Sequence, residues 1–212
     1  MTASRFPDAP AAIQTLRVDQ RGFPVPAFVP WIDGEPEFRA IEPGTVERVH
    51  RERLCWICGL RNSGGSAFVI GPMCGVNRVA PEPPSHLLCA RFAVQACPFL
   101  SQPLAKRNAR NLPEHKPPPG VMIPRNPGVT AIWITSTYRA ERQPEGGLLF
   151  RIGAPIRVEW WCEGRAATRQ EVIRSVQTGL PALQEIAEQD GPEAVAALRD
   201  QVVRFGRLVP DA

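Results

Sequence analysis

The sequence predicts an α+β fold, and three observations carry that reading. Residues 128–161 alternate in period two around Gly- and Pro-rich turns. The segment after Thr168 changes to apolar stripes at helical spacing. Between residues 55 and 89 a Cys/His pattern repeats at short intervals inside a chain that is otherwise poor in histidine. With 24 Pro and 17 Gly in 212 residues, the chain is heavily punctuated, and its length allows one or two domains around a core.

Each element follows from local chemistry. Residues 1–24 lack periodicity and read as a flexible arm. In 25–41, Asp33-Gly34 stands between aromatic and β-branched runs, which predicts a hairpin whose turn tolerates positive φ, with prolines that confine it to a short or edge pair. Thr45–Arg53 adds one helical turn. Pro81–Pro84 and Pro98 bracket SHLLCARFAVQAC, a helix whose Leu88, Phe92 and Ala96 predict a buried i, i+4 stripe. Residues 101–127, with KRNARN and HKPPPG, read as a basic, Pro-rich linker. Residues 128–212 read as an α+β domain. It has antiparallel strands through VTAIWITSTYRAER and LLFRIGAPIRVEWW, then a helix opened by a Thr168/Glu171 capping box and stopped at Gly179. A short helix and a last one from Glu193 with Val195, Leu198, Val202 and Phe205 on one stripe complete it. The domain reading is thus an arm (1–24), a hairpin with a cysteine-rich unit (25–100), a linker (101–127) and the α+β domain.

Composition narrows the function classes. No run of eighteen uncharged apolar residues occurs, and the first residues show neither a basic start nor an apolar stretch with a cleavage site, so neither a membrane span nor a secretory signal is expected. The expected setting is a reducing cytoplasm, where the six cysteines are thiols or metal ligands rather than disulfides. The formal net charge of +4 is unevenly spread: residues 48–127 hold eleven basic and three acidic residues, leaving fourteen and eighteen for the rest. A basic segment in an acidic frame is the charge pattern of a polyanion-binding face, and equally that of a solvated surface.

The sharpest pattern is Cys55-Trp-Ile-Cys58-Gly59, followed by His86-Leu-Leu-Cys89. A CxxCG turn aims two thiolates at one point, and two ligands at i and i+3 in the first turn of a helix face one side. Three sulfurs and one imidazole make the closed tetrahedral set of a structural zinc site. Cys74 is the alternative fourth ligand, with His86 then an exposed helix cap. Cys97 lies eight residues beyond Cys89, about 12 Å along a helix, too far to share that ion. Cys97 and Cys162 read as core thiols. With a small hairpin around Gly71-Pro72 between the ligand pairs, the order knuckle, hairpin, helix resembles a treble-clef zinc finger over residues 53–100. HNH nucleases share that scaffold, but the hairpin carries Met73-Cys74-Gly75, without the histidine that their catalytic metal requires. Zinc-deaminase, P-loop, dinucleotide and GxSxG motifs are absent.

Over residues 28–190 the runs LCWICG, GPMCGVNR, EPPSHLLCARFAVQACPFL, RNPGVTAIW and EGRAATRQEVIRS resemble uncharacterised proteins carried by bacteriophages and prophages of GC-rich hosts. That resemblance implies a phage-associated gene and the cytoplasm of a bacterial host, and selects no activity. The expected function is therefore a non-enzymatic zinc-finger protein that docks on DNA or RNA. Arg61, Arg78 and Arg91 beside the finger, with Lys106, Arg107 and Arg110 in the linker, would supply phosphate contacts, which position without reading sequence. The alternatives are a protein-binding adaptor anchored by exposed helices and tryptophans, and, at the margin, an HNH-like nuclease scaffold or an enzyme built around Cys74.

Overall fold

The computed structural model describes residues 3–102, 126–144 and 146–211. It is a mixed α+β structure with antiparallel sheets and two long C-terminal helices. In chain order the elements are α1 (Ala11–Gln14), β1 (Trp31–Ile32), β2 (Glu35–Pro36), α2 (Thr45–Glu52), β3 (Ser66–Ile70), α3 (Pro72–Asn77), β4 (Val79–Ala80), α4 (Leu87–Ala96), α5 (Pro98–Ser101), β5 (Thr130–Thr135), β6 (Tyr138–Arg142), β7 (Leu148–Ile152), β8 (Arg157–Cys162), β9 (Arg165–Ala166), α6 (Arg169–Asp190) and α7 (Pro192–Gly206).

Two sheets carry the architecture, one in the order β3-β5-β8-β9 and one in the order β4-β7-β6. Both draw strands from either side of residues 101–127: β3 pairs with β5, Phe68 opposite Trp133, and β4 pairs with β7. The cysteine-rich segment and the following α+β segment therefore share one core. On β5 the period-two alternation is apolar on both faces. Trp133 and Ala131 join Phe68, Phe150, Trp160 and the residues of α3, α6 and α7 in the main core. Ile132 points the other way, with Ala67, to meet Ala90 and Val94 of α4. A strand covered on both sides reads as a continuous apolar run for this reason. Trp133 is fully buried and its Nε1 donates to the Gly153 carbonyl at 3.0 Å. Removing such a ring from water is worth about 4–6 kcal/mol at the usual area coefficient.

Several expected elements stand. The hairpin forms with Asp33 (φ 51°) and Gly34 (φ 85°) at its turn, and α2 fills the place of the expected helical turn. The capping box is reciprocal: Thr168 Oγ1 accepts from the Glu171 N–H at 3.3 Å, and Glu171 Oε2 accepts from the Thr168 N–H at 2.8 Å. On α7, Leu198 and Phe205 are buried and Val195 and Val202 pack against the same core.

Others differ. The run expected as one strand over 129–142 breaks at Ser136-Thr137 into β5 and β6, which belong to different sheets. Gly179 does not stop α6, which runs 22 residues from Arg169 to Asp190 with Pro181 inside it. Val172, Ser175, Gly179, Leu183 and Ala187 form one buried stripe along it, and that tertiary contact overrides the local cost of glycine and proline. The N-terminal residues do not behave as a loose arm either. Ile13 is buried in α1, Phe6 meets Phe92 edge to face, and the Asp19 carboxylate accepts the N–H groups of Arg21 and Phe23.

Candidate metal centre

The chain reaches the centre from two directions. After α2, Arg53 takes a left-handed conformation (φ 53°), and Leu54 pairs in a single bridge with Arg61, which closes the loop carrying Cys55 and Cys58. Gly59 follows the second cysteine at φ 74°, and a Cβ there would lie 2.9 Å from the Ala27 side chain. The glycine is required both for its backbone conformation and for that close approach. The second pair arrives on α4: His86 is its N-cap residue and Cys89 lies in its first turn. Between the pairs the expected hairpin turn at Gly71-Pro72 is absent. Pro72 instead opens α3 as a first-turn proline. What remains of the hairpin is one reciprocal bridge, with the Ala67 N–H donating to the Ser85 carbonyl at 3.2 Å and the Ser85 N–H donating back at 2.8 Å. That bridge places His86 immediately after a residue locked to β3.

The result is a cluster of Cys55, Cys58, His86 and Cys89 whose four ligand atoms all lie within 4.8 Å of one another, with the three cysteines buried. His86 Nδ1 is 3.4 Å from Cys58 Sγ and 3.8 Å from Cys89 Sγ. A tetrahedral ion with bonds of about 2.3 Å to sulfur and 2.0 Å to nitrogen sets sulfur–nitrogen edges of about 3.5 Å. The two spacings bracket that value, so the residues fit a metal of this kind in both donor chemistry and separation. His86 Nε2 donates to the Arg61 carbonyl at 3.1 Å, which leaves Nδ1 with its lone pair toward the sulfurs. Cys55 Sγ accepts from the backbone N–H of His86 at 3.3 Å and of Cys58 at 3.5 Å. A hydrogen bond from the Cys89 thiol together with these N–H groups holds the Cys55 thiol well below its ordinary range, while the same shared proton and burial push Cys89 up. These donors favour the thiolate form at Cys55, the form in which a cysteine binds a metal.

The other sequence-selected residues separate clearly. Cys74, on α3, packs against the main core and is outside the cluster. Burial, with Glu82 nearby, pushes its thiol up to about 11. Cys162 is buried in the main core and is likewise pushed up to about 11, by burial and then by Glu171. Cys97 is half-buried at the junction of α4 and α5. Leu88, expected in the buried stripe of α4, is 61% exposed, and Cys89, Ala90 and Val94 take the inner face. Phe92 of the expected stripe does pack against the cysteine cluster, so the inner face is displaced only at its start.

Arg61 is exposed beside the knuckle, and Arg78 is the left-handed C-cap residue of α3. Arg91 is engaged in the scaffold. Its Nε and Nη2 donate to the two oxygens of Glu159 on β8 at 2.8 and 2.6 Å, and Arg157 reaches the same carboxylate. Lys106, Arg107 and Arg110 lie outside the described residues. What sequence reasoning missed is the backbone part of the centre: the Arg61 carbonyl that orients His86, and the N-terminal Ala9 and Ile13 that pack on the three cysteines. Only the apolar spacing of residues 9, 12, 13 and 16 signals that packing. None of the described helices is long and apolar enough to cross a membrane. Compared with known proteins, the chain matches no family model, and neither curated proteins nor solved structures give a match.

Proposed function

We propose that the chain is a non-catalytic zinc protein whose basic face beside the metal docks on nucleic acid, DNA or RNA. Cys55, Cys58 and Cys89 through Sγ and His86 through Nδ1 would hold one Zn2+. The single observation that carries the metal reading is the convergence of these four ligand atoms within 4.8 Å. Four protein donors close the coordination sphere and leave no position for a substrate, so the ion organises structure. The order of a cysteine knuckle followed by a helix that carries the second ligand pair supports a treble-clef reading, and the Ala67–Ser85 bridge stands where its hairpin would be.

The docking reading rests on charge. Arg48 lies on α2, Arg53 is its left-handed C-cap two residues before Cys55, and Arg61 is tied through its carbonyl to His86. All three are exposed, and none has a carboxylate partner among the described residues. With Lys106, Arg107 and Arg110, which lie outside the described residues, the sequence offers six cationic side chains for such contacts. Six contacts on duplex DNA imply a loss of affinity on the order of 10³-fold between 50 and 200 mM salt. The test is elemental analysis for one zinc per chain, followed by a nucleic-acid titration over that salt range. Arg61→Gln is expected to weaken binding and to reduce the salt slope by about 1. Affinity that ignores salt ends the docking reading, and a preparation that folds without metal ends the structural one.

A second reading, a protein-binding adaptor, draws on one observation. Leu60 and Leu88, which follow or precede metal-site residues, are both more than half exposed and could anchor a partner chain. A complex that survives nuclease treatment and high salt would select it.

A further inference from the structure

We infer a second, independent binding site, for a phosphate-class oxyanion, on the face of the β3-β5-β8 sheet opposite α4 and the metal centre. Here α3, β5 and α7 enclose a cleft of about 170 Å³. Arg78, Arg204, Asn77 and Gln201 line it, with Phe205, Leu208 and the buried Trp133 behind them. The volume is below the roughly 300–1,000 Å³ of drug-sized ligand sites and suits a single small anion.

Many arginines of the surface find carboxylates: Arg21 with Asp19, Arg39 with Glu37, Arg91 and Arg157 with Glu159, Arg139 and Arg151 with Glu141, and Arg165 with Glu171. The two that line this cleft do not, and they meet at one concave site. No acidic residue lines the cleft, and neither Arg78 nor Arg204 forms an ion pair among the described residues. Asp200, one turn before Arg204 on α7, makes none with it. Both arginines sit at helix C-termini, α3 for Arg78 and the last turn of α7 for Arg204. The two helix ends contribute about half a negative charge each, against two full positive charges, so the cleft keeps a surplus of about one.

The backbone fixes the first arginine. Arg78 is a non-glycine residue at φ 52°; its N–H donates to the Gly75 carbonyl, and its own carbonyl accepts from Ile152. Its guanidinium carbon stands 6.0 Å from the centre of the Trp133 ring. Two planar forks and two amide NH2 groups supply more donors than a planar carboxylate can accept, and they favour a tetrahedral anion with oxygens on several sides.

The experiment is calorimetric titration of the intact zinc-loaded chain with inorganic phosphate, with acetate, and with a short oligonucleotide lacking a terminal phosphate. Wild type, Arg204→Gln, Arg78→Gln and Arg207→Gln are compared. Saturable phosphate binding is expected, weakened at least tenfold by Arg204→Gln and by Arg78→Gln, and retained in Arg207→Gln, which alters a neighbouring exposed arginine outside the cleft. If the oligonucleotide shows that dependence and inorganic phosphate does not, the anion is an internal phosphodiester. If phosphate alone shows it, the ligand is a free or terminal phosphate. Equal binding of acetate and phosphate, indifference to both substitutions, or no saturable binding of either phosphate probe overturns the site. Zinc content read on the same samples, with the effect of Arg61→Gln on oligonucleotide affinity, keeps a failure here distinct from a failure of the proposed function.

Discussion

Two of the buried regions of this molecule are built from opposite materials. The main core joins Phe68, Trp133, Phe150 and Trp160 to the inner faces of α3, α6 and α7, and aromatic and branched side chains fill it. The lobe around the metal centre buries Ala9, Ile13, Cys55, Cys58 and Cys89, with Phe6, Ala12, Leu16, Ile57 and Phe92 partly covered at its edge. Three of the five buried residues are potential ligands, and the other two are an alanine and an isoleucine. Apolar transfer, at about 25 cal/mol per Å2, suffices for the first region and falls short for the second. The comparison teaches that the core is held by its rings, whereas the lobe would need an ion at its Cys/His cluster to hold it.

The largest expected effect breaks that symmetry. Metal binding contributes on the order of 10 kcal/mol in comparable small sites. Chelation, or Cys58→Ser, is therefore expected to abolish hydrogen-exchange protection in 3–24, 54–62 and 85–97 while β5, β7 and β8 stay protected. Uniform loss of protection, or none, contradicts the division into two regions. The mirror experiment is Trp133→Ala, which removes the largest fully buried side chain and strands the Gly153 carbonyl. A loss of about 3–5 kcal/mol in global stability is expected, with zinc stoichiometry unchanged in the folded fraction.

The next effect sharpens the boundary. Ile13 is buried against the cysteines from a segment distant in sequence. Ile13→Ala is expected to cost about 2–4 kcal/mol locally and to raise the rate at which a colorimetric chelator extracts zinc. Cys74→Ala is expected to leave that rate unchanged, since Cys74 packs in the other region. If the two variants release zinc alike, the N-terminal segment is not the cover of the metal lobe.

What the sequence made legible follows the range of the interactions. The ligand set, the turn at Asp33-Gly34 and the Thr168/Glu171 cap are local patterns in which each residue's partner lies within a few positions, or at ligand spacing, and these were readable. Partners at long range were not. Nothing near Ser66–Ile70 announces that this strand pairs with residues 130–135, so a closed hairpin at Gly71-Pro72 was the economical local solution. Gly179 and Pro181 are strong local stop signals, overruled by a buried stripe visible only once α6 lies on the core. Arg91 reads as a free cation because its partner, Glu159, is 68 residues away. In the centre itself the side-chain donors were legible, and the backbone groups that orient them, the Arg61 carbonyl and the His86 N–H, were not, because every residue has them.

The smallest expected effect lies at the start of α6 and is independent of the metal. Removing the cap hydroxyl with Thr168→Ala is expected to cost about 0.5–2 kcal/mol at neutral pH. The pH dependence isolates the charged half of the same box. Glu171 is held down from its ordinary value of about 4.5 to about 2, first by the Arg165 guanidinium at 2.6 Å and then by the Thr168 N–H. A carboxyl whose folded value is depressed stabilises the fold fully above its unfolded value and loses that contribution as pH falls through the folded one. The window here is pH 4.5 down to 2. Glu171→Gln keeps a competent capping side chain and removes only the titration. The stability difference between wild type and this variant should therefore shrink steadily across that window. Acid release of zinc affects both proteins equally and cancels in the difference. Because the Arg165–Glu171 pair is partly exposed, the change is small and further reduced by salt. A difference that stays flat from pH 5 to pH 2 at low ionic strength shows that the box acts through its hydrogen bonds alone.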